Sequence, residues 1–517
     1  MIVKRSFVAT VAQSAPVASA VRLWPLCLWL AAGATACTSQ ATTDSSAQVT
    51  LAMGFALPTG LDELISELTT EGLVRSRRDG RHDGQLAERW AIDSDGRRLT
   101  LQLRAGVRFH DGSPLSADVV RAFLEHARID PVQLGQAPLL RDIEKIETEG
   151  TLGVVLHLRD RSALLLDDLT LRIARRAADG RTIGTGPFVF EEERGDVTIL
   201  KANTAYHRGR PKIDVIRIRV YPTVRNAWAA MMRSEIDILF QVPNDTREFV
   251  EAESSVQVFA FDRPYVYFLG FNTGRPPFRD PAVRQALNHA VDRGAIIEHT
   301  LHGHGRAGSG TWPFHWAYQG ASLVYHYDPQ RADRLLTESG YPPHATSGHD
   351  RPNGLPSRMR FVCLVPSDLA PFETLALQLQ KQFYDIGVDM RVEAMPSREF
   401  LRRIDARDYD AVLLWRNTGE ALSRLYSSWH SSEPGGLGYR GVDAALEALR
   451  AAPTETAIRE AAAELQRRFY EDPPAIFVAD REDARAVSRR FEVPTAPGQD
   501  VIETIWQWRP AREPKPE

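Results

Sequence analysis

The chain has 517 residues, enough to bury a large apolar core but more than one core ordinarily holds, so two or three domains are expected. Hydrophobic residues make up 43% and charged residues 25%, an ordinary globular composition, and a formal charge of −4 gives no ground for a nucleic-acid partner. Of the three cysteines, Cys27 and Cys37 fall in an amino-terminal apolar segment and Cys363 stands alone in the body, which excludes a disulfide framework and a thiolate zinc site.

Residues 1–21 are mildly basic and lack acidic side chains. Arg22 then precedes Leu23–Ala36, an apolar run of signal-peptide length and short for a membrane span. The run ends in Ala34-Thr35-Ala36-Cys37 and passes into polar text at Thr38–Gln48. This resembles a lipoprotein signal, in which Cys37 would be acylated; Ala34 stands where such signals carry Leu, and a simple cut after Ala36 is the other reading. Either route implies export, with 37–48 as a flexible tether.

The body opens on Val49–Phe55, a first core strand. Leu99, Leu101 and Leu103 alternate with Thr100, Gln102 and Arg104, as a half-buried strand does. A turn through His110-Asp111-Gly112-Ser113-Pro114 follows, and Ser116 is placed to cap a helix with Val119, Val120, Phe123, Leu124 and Ala127 on one face. Strand-like runs at 143–148 and 153–158 come next, then Gly184-Thr185-Gly186-Pro187-Phe188. That loop is no phosphate cradle, because Pro187 interrupts it and neither Gly-Lys-Ser/Thr nor a helix follows. Strand 213–221, a helix starting at Trp228–Met232 and the apolar strand 265–272 lead to Asp280-Pro281, a cap and first helical residue before the stripe Val283, Ala286, Leu287, Ala290, Val291. Cys363 sits in the core-strand text Met359–Val365, where an inert thiol is expected. Amphipathic helices at 372–386 and 458–470 and a strand at 475–479 complete the body.

Several blocks together resemble one family. Glu71-Gly-Leu-Val, Leu86-Ala-Glu-Arg-Trp, Leu103-Arg-Ala-Gly-Val-Arg-Phe-His-Asp-Gly-Ser-Pro-Leu, Gly184–Phe188, Asn203–Pro211, Phe271-Asn-Thr with Pro277–Asp292, and Tyr327–Tyr341 keep the order and spacing of the family 5 solute-binding proteins, the extracytoplasmic receptors of peptide and nickel ABC importers. The resemblance spans roughly residues 70–510. It implies an α/β, two-lobed periplasmic-binding-protein-like fold (type II) with an inserted α+β accessory domain. Lobe I would comprise 49–72, 185–266 and 480–510, the accessory domain 73–184, and lobe II 267–479. Crossing strands would fall near Tyr265–Asn272 and Pro474–Asp480. Leu99–His126 is then accessory-domain scaffold, with His110 and Asp111 as turn residues.

Enzyme signatures (G-x-S-x-G, H-E-x-x-H, C-x-x-C, a dinucleotide fingerprint) are missing, so no catalytic residue and no cofactor is expected. His302-Gly-His304-Gly with His315 nearby could suggest a metal site, but two histidines at i, i+2 in a Gly-rich loop are more often solvated than ligating. Trp312-Pro-Phe-His-Trp316-Ala-Tyr318 packs aromatics without helical or strand period; it reads either as a loop folded on its own core or as an apolar wall of a ligand cleft. The strand ending at Trp415 enters a loop that lines the cleft in the family, where peptide receptors commonly carry an Asp for the peptide ammonium; Glu420 occupies about that place. Arg416 either meets a ligand carboxylate or faces solvent. Under a nickel-chelate alternative, His430 would be the direct metal ligand. The resemblance thus implies a monomeric, exported and lipid-anchored receptor that carries a small peptide or, as the alternative, a metal chelate to ABC permease subunits; a periplasmic hydrolase or a sensor or chaperone on the same fold are the alternatives from other classes. Its ligand-binding residues would be Trp312, Trp316, Tyr318, Trp415, Arg416 and Glu420.

Overall fold

Two strands of unusual length, 16 and 14 residues, run through the middle of the molecule and pair with each other along both their halves. The computed structural model describes residues 48–511 apart from 58–59, 178, 319–322, 344–356 and 370. The leader, the tether and Cys37 lie outside the described residues.

The long strands belong to one large mixed sheet, whose strands we number in chain order: β1 (Thr50–Phe55), β2 (Phe188–Arg194), β3 (Val197–Ala202), β4 (Val215–Val220), β5 (Ile238–Leu239), β6 (Val256–Phe271), β7 (Arg306–Ala307), β8 (Met359–Pro366), β9 (Val388–Met395), β10 (Ala411–Asn417) and β11 (Ala475–Ser488). Their spatial order is β2-β3-β4-β1-β5-β11-β6-β10-β8-β9, with β7 on β11. The ladder between β6 and β11 breaks in the middle. Asp262 pairs with Glu482 and the next pair is Val266 with Asp480, so Arg263, Pro264 and Tyr265 face Arg481 alone. Such a bulge bends a strand and frees local backbone groups. The break takes in Tyr265, the first residue of the expected crossing Tyr265–Asn272, and Arg481, one residue past the expected crossing Pro474–Asp480.

On one side of the break, Leu51, Phe55, Leu64, Ile216, Ile238, Val487 and Trp508 form a core. On the other, Phe271, Phe278, Leu287, Phe361, Leu379 and Phe383 form a second one, in which Cys363 is buried. From Val266 onward every residue of β6 is buried, because helices cover that half of the sheet.

A four-stranded antiparallel sheet built from residues 87–158 has its own core. Leu101, Leu103, Val120, Leu124 and Leu156 meet there, and the core continues into Trp429, Leu446, Leu465 and Phe469 of the helices between residues 422 and 471. Ser116 caps Ala117–Ala127, its hydroxyl accepting from the Val119 amide at 3.4 Å. Asp280 caps Pro281–His289, accepting from the Ala282 amide at 2.9 Å. Asp111 closes its turn on the Ser113 amide at 2.9 Å, while His110 leans on the Gly184–Gly186 loop, Nε2 lying 3.2 Å from the Gly186 carbonyl.

That loop packs directly on the end of helix Leu61–Thr69, the Gly186 amide donating to the Thr69 carbonyl at 3.0 Å. A Cβ on Gly184 would lie 2.0 Å from the Thr69 carbonyl, so only glycine allows the approach. Beside it Glu71, 1% exposed, accepts hydrogen bonds from Thr185 at 2.8 Å, Tyr206 at 2.9 Å and His207 Nε2 at 3.1 Å. The GTGPF box is therefore a structural knot around one carboxylate.

Candidate functional site

The break in the crossing strands gathers charge that no apolar core would tolerate unpaired. Arg481 donates to Asp483 at 2.7 and 3.0 Å, and Arg263 donates to the same carboxylate at 3.1 Å. Burial opposes ionisation of Asp483, but Arg481 and Arg263 outweigh it and hold the carboxyl below its ordinary range. Arg481 also lies over the Trp415 ring, 5.6 Å from its centre, and Trp415 packs at 5.2 Å against Phe372. Trp415 stands opposite Tyr267 in the β6–β10 ladder and is half-buried, with the Phe372 ring packed against it and the Arg481 guanidinium over its ring.

Around this cluster stand three carboxylates from separate elements. Glu67 comes from helix Leu61–Thr69, Glu420 from the loop after β10, and Glu503 from the short turn Val501–Gln507. Glu67 and Glu420 are half-buried and accept no hydrogen bond from a described side chain or amide; Glu503 accepts from Gln499 at 2.8 Å. All three are shifted upward, with burial the leading cause. Glu67 is eased by Arg172 but pushed further by Asp500, and Glu420 is eased by Arg424 and Arg263 but pushed by Asp167 and Glu67. Glu503 is pushed up to about 7, feeling Glu67, Asp500 and Glu420. The nearby cations have other engagements. Arg263 is on Asp483, Arg172 donates to the Thr70 carbonyl at 2.9 Å, and Arg424 reaches the Gln136 carbonyl.

The other sequence-expected residues are dispersed. Arg416 follows Trp415 on the strand and so faces the opposite side. Its guanidinium lies 5.0 Å from the Phe268 ring centre and 4.8 Å from that of Trp429, with Nη1 donating to the Ser428 and Gly435 carbonyls. Burial lowers its pKa to about 10. This corrects the expectation that Arg416 either waits for a ligand carboxylate or faces solvent: Nη1 is bonded to the Ser428 and Gly435 carbonyls and ties β10 to helix Leu422–Trp429. Trp312 is likewise corrected. It is 1% exposed, and its indole donates to the Arg78 carbonyl at 2.7 Å, which makes it loop core.

Trp316 is half-buried between the guanidiniums of Arg81 and Arg459, 4.9 and 5.3 Å from its ring centre. Tyr318 has its ring 5.8 Å from His315 and its hydroxyl enclosed without a partner among the described residues; burial pushes that hydroxyl upward. His315 itself is lowered to about 4 by burial, and His304 bonds Arg247 at 3.0 Å. His430 stacks on Tyr426 at 4.6 Å, with Nδ1 2.7 Å from the Ser432 hydroxyl and Nε2 3.3 Å from Glu447. Both its ring nitrogens are engaged, and among the described residues no three His, Cys, Asp or Glu side chains are grouped to hold a metal ion.

Sequence reasoning missed Glu67, Arg263, Arg481, Asp483 and Glu503. A signal was present for three of them: Arg481-Glu-Asp483 interrupts the apolar run Ala475–Ala479 and Arg263 interrupts Phe259–Phe268, a pattern that buried strands do not otherwise carry.

The model for "Bacterial extracellular solute-binding proteins, family 5 Middle" matches residues 83–436. Heme-binding protein A of Haemophilus influenzae is 32% identical over 296 residues, 50% of this chain and about half, 53%, of that protein. The glutathione-binding protein GsiB of Pectobacterium atrosepticum is 27% identical over 468 residues, 83% of this chain and 86% of the relative. Among solved structures, NikZ from Campylobacter jejuni in complex with Ni(L-His) superposes with a TM-score of 0.75 at 23% identity, covering 89% of this chain and 99% of that one. The shared fold is two-lobed.

Proposed function

The chain belongs to family 5 of the bacterial extracellular solute-binding proteins, and from that premise we propose that it captures a small peptide or peptide-like solute between its two lobes and presents it to the membrane subunits of an ABC importer. The observation that carries the ligand class is the set of carboxylates facing the crossing. Glu67 and Glu503 come from the first core's side and Glu420 from the second, without a cation committed to them. A peptide ammonium placed there offsets like charges contributed by both lobes, and a charge-assisted hydrogen bond to such a group contributes about 1.5–3 kcal/mol. Trp415, with Arg481 over its ring, supplies an aromatic wall for the solute. Trp316 and Tyr318 belong to the rim on this reading.

No covalent step is needed. A ligand that touches both lobes binds the closed form better than the open one and shifts the population accordingly. The GsiB relative is named for glutathione, itself a small peptide, which accords with this class. In the cell the receptor is exported, works as a monomer and is held at the membrane through a lipid on Cys37. Mass measurement of the mature amino terminus, with Cys37→Ala as control, tests that anchor.

Native mass spectrometry of the protein purified from its own host tests the ligand. A retained ladder of peptides supports the assignment. A metal-containing adduct that disappears in His430→Ala replaces it with a metal chelate.

A further inference from the structure

One ion pair spans the break in the crossing strands. Arg306 lies in β7, which pairs with Asp480 and Ala479 on the second core's side of β11. Its guanidinium nevertheless bonds Asp262, the last residue of β6 paired on the first core's side. Asp262 is shared, because Arg78 from the segment after hairpin strand Val74–Ser76 bonds its other oxygen. The Phe314 ring lies between the two guanidiniums, 3.4 Å from Arg78 and 4.4 Å from Arg306.

Directly opposite Arg306 in register is Asp480, 3% exposed, whose Oδ1 has no hydrogen-bond partner among the described residues. Glycines bind β7 to this half of the sheet. A Cβ on Gly305 would lie 2.9 Å from the Asp480 carbonyl, and one on Gly308 2.6 Å from the Val266 side chain.

We propose that Arg306 is the moving part of a hinge switch, bonded to Asp262 in the conformation described here and to Asp480 once the lobes swing apart about residues 263–265 and 481. Asp262 rides on one half of the crossing strands, whereas Arg306 and Asp480 ride together on the other. Rotation at the break lengthens the first pair and leaves the second within reach. A buried carboxylate is costly until it is paired, so Asp480 is a ready acceptor for the released guanidinium.

The charged groups facing Asp480 are Arg306 from β7 and Asp262 from β6, with Arg78 behind Asp262. Its strand neighbours are committed elsewhere, Arg481 to Asp483 and Glu482 to Arg247. Burial, the largest influence, raises the Asp480 pKa to about 8, against the pull of Arg306 and with the push of Asp262. Protonated Asp480 leaves Arg306 on Asp262, and ionised Asp480 draws it across. Acid therefore holds the present conformation, and alkali releases it.

Small-angle scattering of the protein, freed of co-purifying solute by dialysis, tests the switch without any ligand, so a mistaken peptide assignment leaves the test intact. The expected result is a single step in radius of gyration centred near pH 8. The step is lost in Asp480→Asn, which keeps the protonated shape, and in Arg306→Gln, which has no guanidinium to transfer; circular dichroism confirms that each variant is folded. In Asp262→Asn the midpoint moves to lower pH, because Arg306 starts released. A wild-type profile without a step between pH 6.5 and 9.5, or the same step in a folded Asp480→Asn or Arg306→Gln protein, overturns the proposal.

Discussion

Glu71 and Glu420 are both carboxylates withdrawn from bulk water, and the chain treats them in opposite ways. Glu71 takes donors from Thr185, Tyr206 and His207, which come from two separate stretches of the chain. Glu420, like Glu67, has none. A saturated buried carboxylate joins segments and has no capacity left for anything else. An unsaturated one is unfavourable in the empty protein, and that deficit is available to a cationic ligand that relieves it. On this comparison the knot at Glu71 is scaffold, and under the proposed function the carboxylates around the crossing would be the recognition surface.

The strongest way to break the comparison is at the knot. Glu71→Ala leaves the hydroxyls of Thr185 and Tyr206 and the His207 ring without their acceptor, and the loss of a buried, fully bonded charge costs about 3–5 kcal/mol. Urea denaturation should show that loss. A change below about 1 kcal/mol would mean that saturation does not mark scaffold here. Next in size is Arg416→Ala, which removes a guanidinium held between Phe268 and Trp429 and frees two carbonyls. It should cost about 2–4 kcal/mol of unfolding free energy, while Trp415→Ala, one residue away on the other face, should weaken ligand binding by more than it weakens the fold.

How much of this was legible in the sequence follows from the same distinction. The scaffold was readable, because the Ser116 and Asp280 caps and the apolar periodicities are local signals with local causes. The fold class followed from motif order. The site was only half legible. Trp415 and Glu420 stand at the crossing, but Arg416 and Trp312 do not, since strand alternation turns Arg416 inward and one backbone carbonyl, that of Arg78, engages the Trp312 indole. The Arg78–Trp312 contact joins residues 234 positions apart, and the meeting of Glu67 with Glu420 and Glu503 is of the same kind. Such meetings are set by how cores pack across the sheet, which periodicity does not report. The cluster of charges inside β6 and β11 was visible but needed the break in the ladder to give it meaning.

On the ligand side, Glu420→Gln and Glu67→Gln test the unsaturated carboxylates directly. Each keeps the shape and removes one unsatisfied charge, so the fold should be as stable as the parent or slightly more so. Affinity for a peptide with a free amino terminus should fall about 10–100-fold by titration calorimetry, the equivalent of one charge-assisted hydrogen bond. An amino-acetylated peptide should be insensitive to both changes. If the two peptides lose affinity equally, the carboxylates do not read the ammonium.

The smallest expected effect is on pH. Burial, reinforced by Glu67, Asp500 and Glu420, places the Glu503 pKa at about 7, above its unfolded value. A raised carboxyl contributes stability that is fully present below the unfolded pKa and is lost as pH rises through about 7, where the group must ionise beside its like-charged neighbours. Ligand binding has the opposite sign, because an ammonium is held by the ionised form. At pH 6 binding must first displace a proton, and at pH 8 it need not. Affinity for the cationic peptide should therefore rise by a few-fold and at most about tenfold between those values, since Glu503 is exposed enough for solvent to screen part of its charge. Calorimetry at pH 7 in two buffers of different ionisation enthalpy should register net proton release on binding, reduced in Glu503→Gln. Proton uptake beyond that of the ligand's own amine, whose pKa of about 8 leaves it partly deprotonated at pH 7, would instead mean that the ligand brings a carboxylate to this corner, and would turn the polarity of the cleft around.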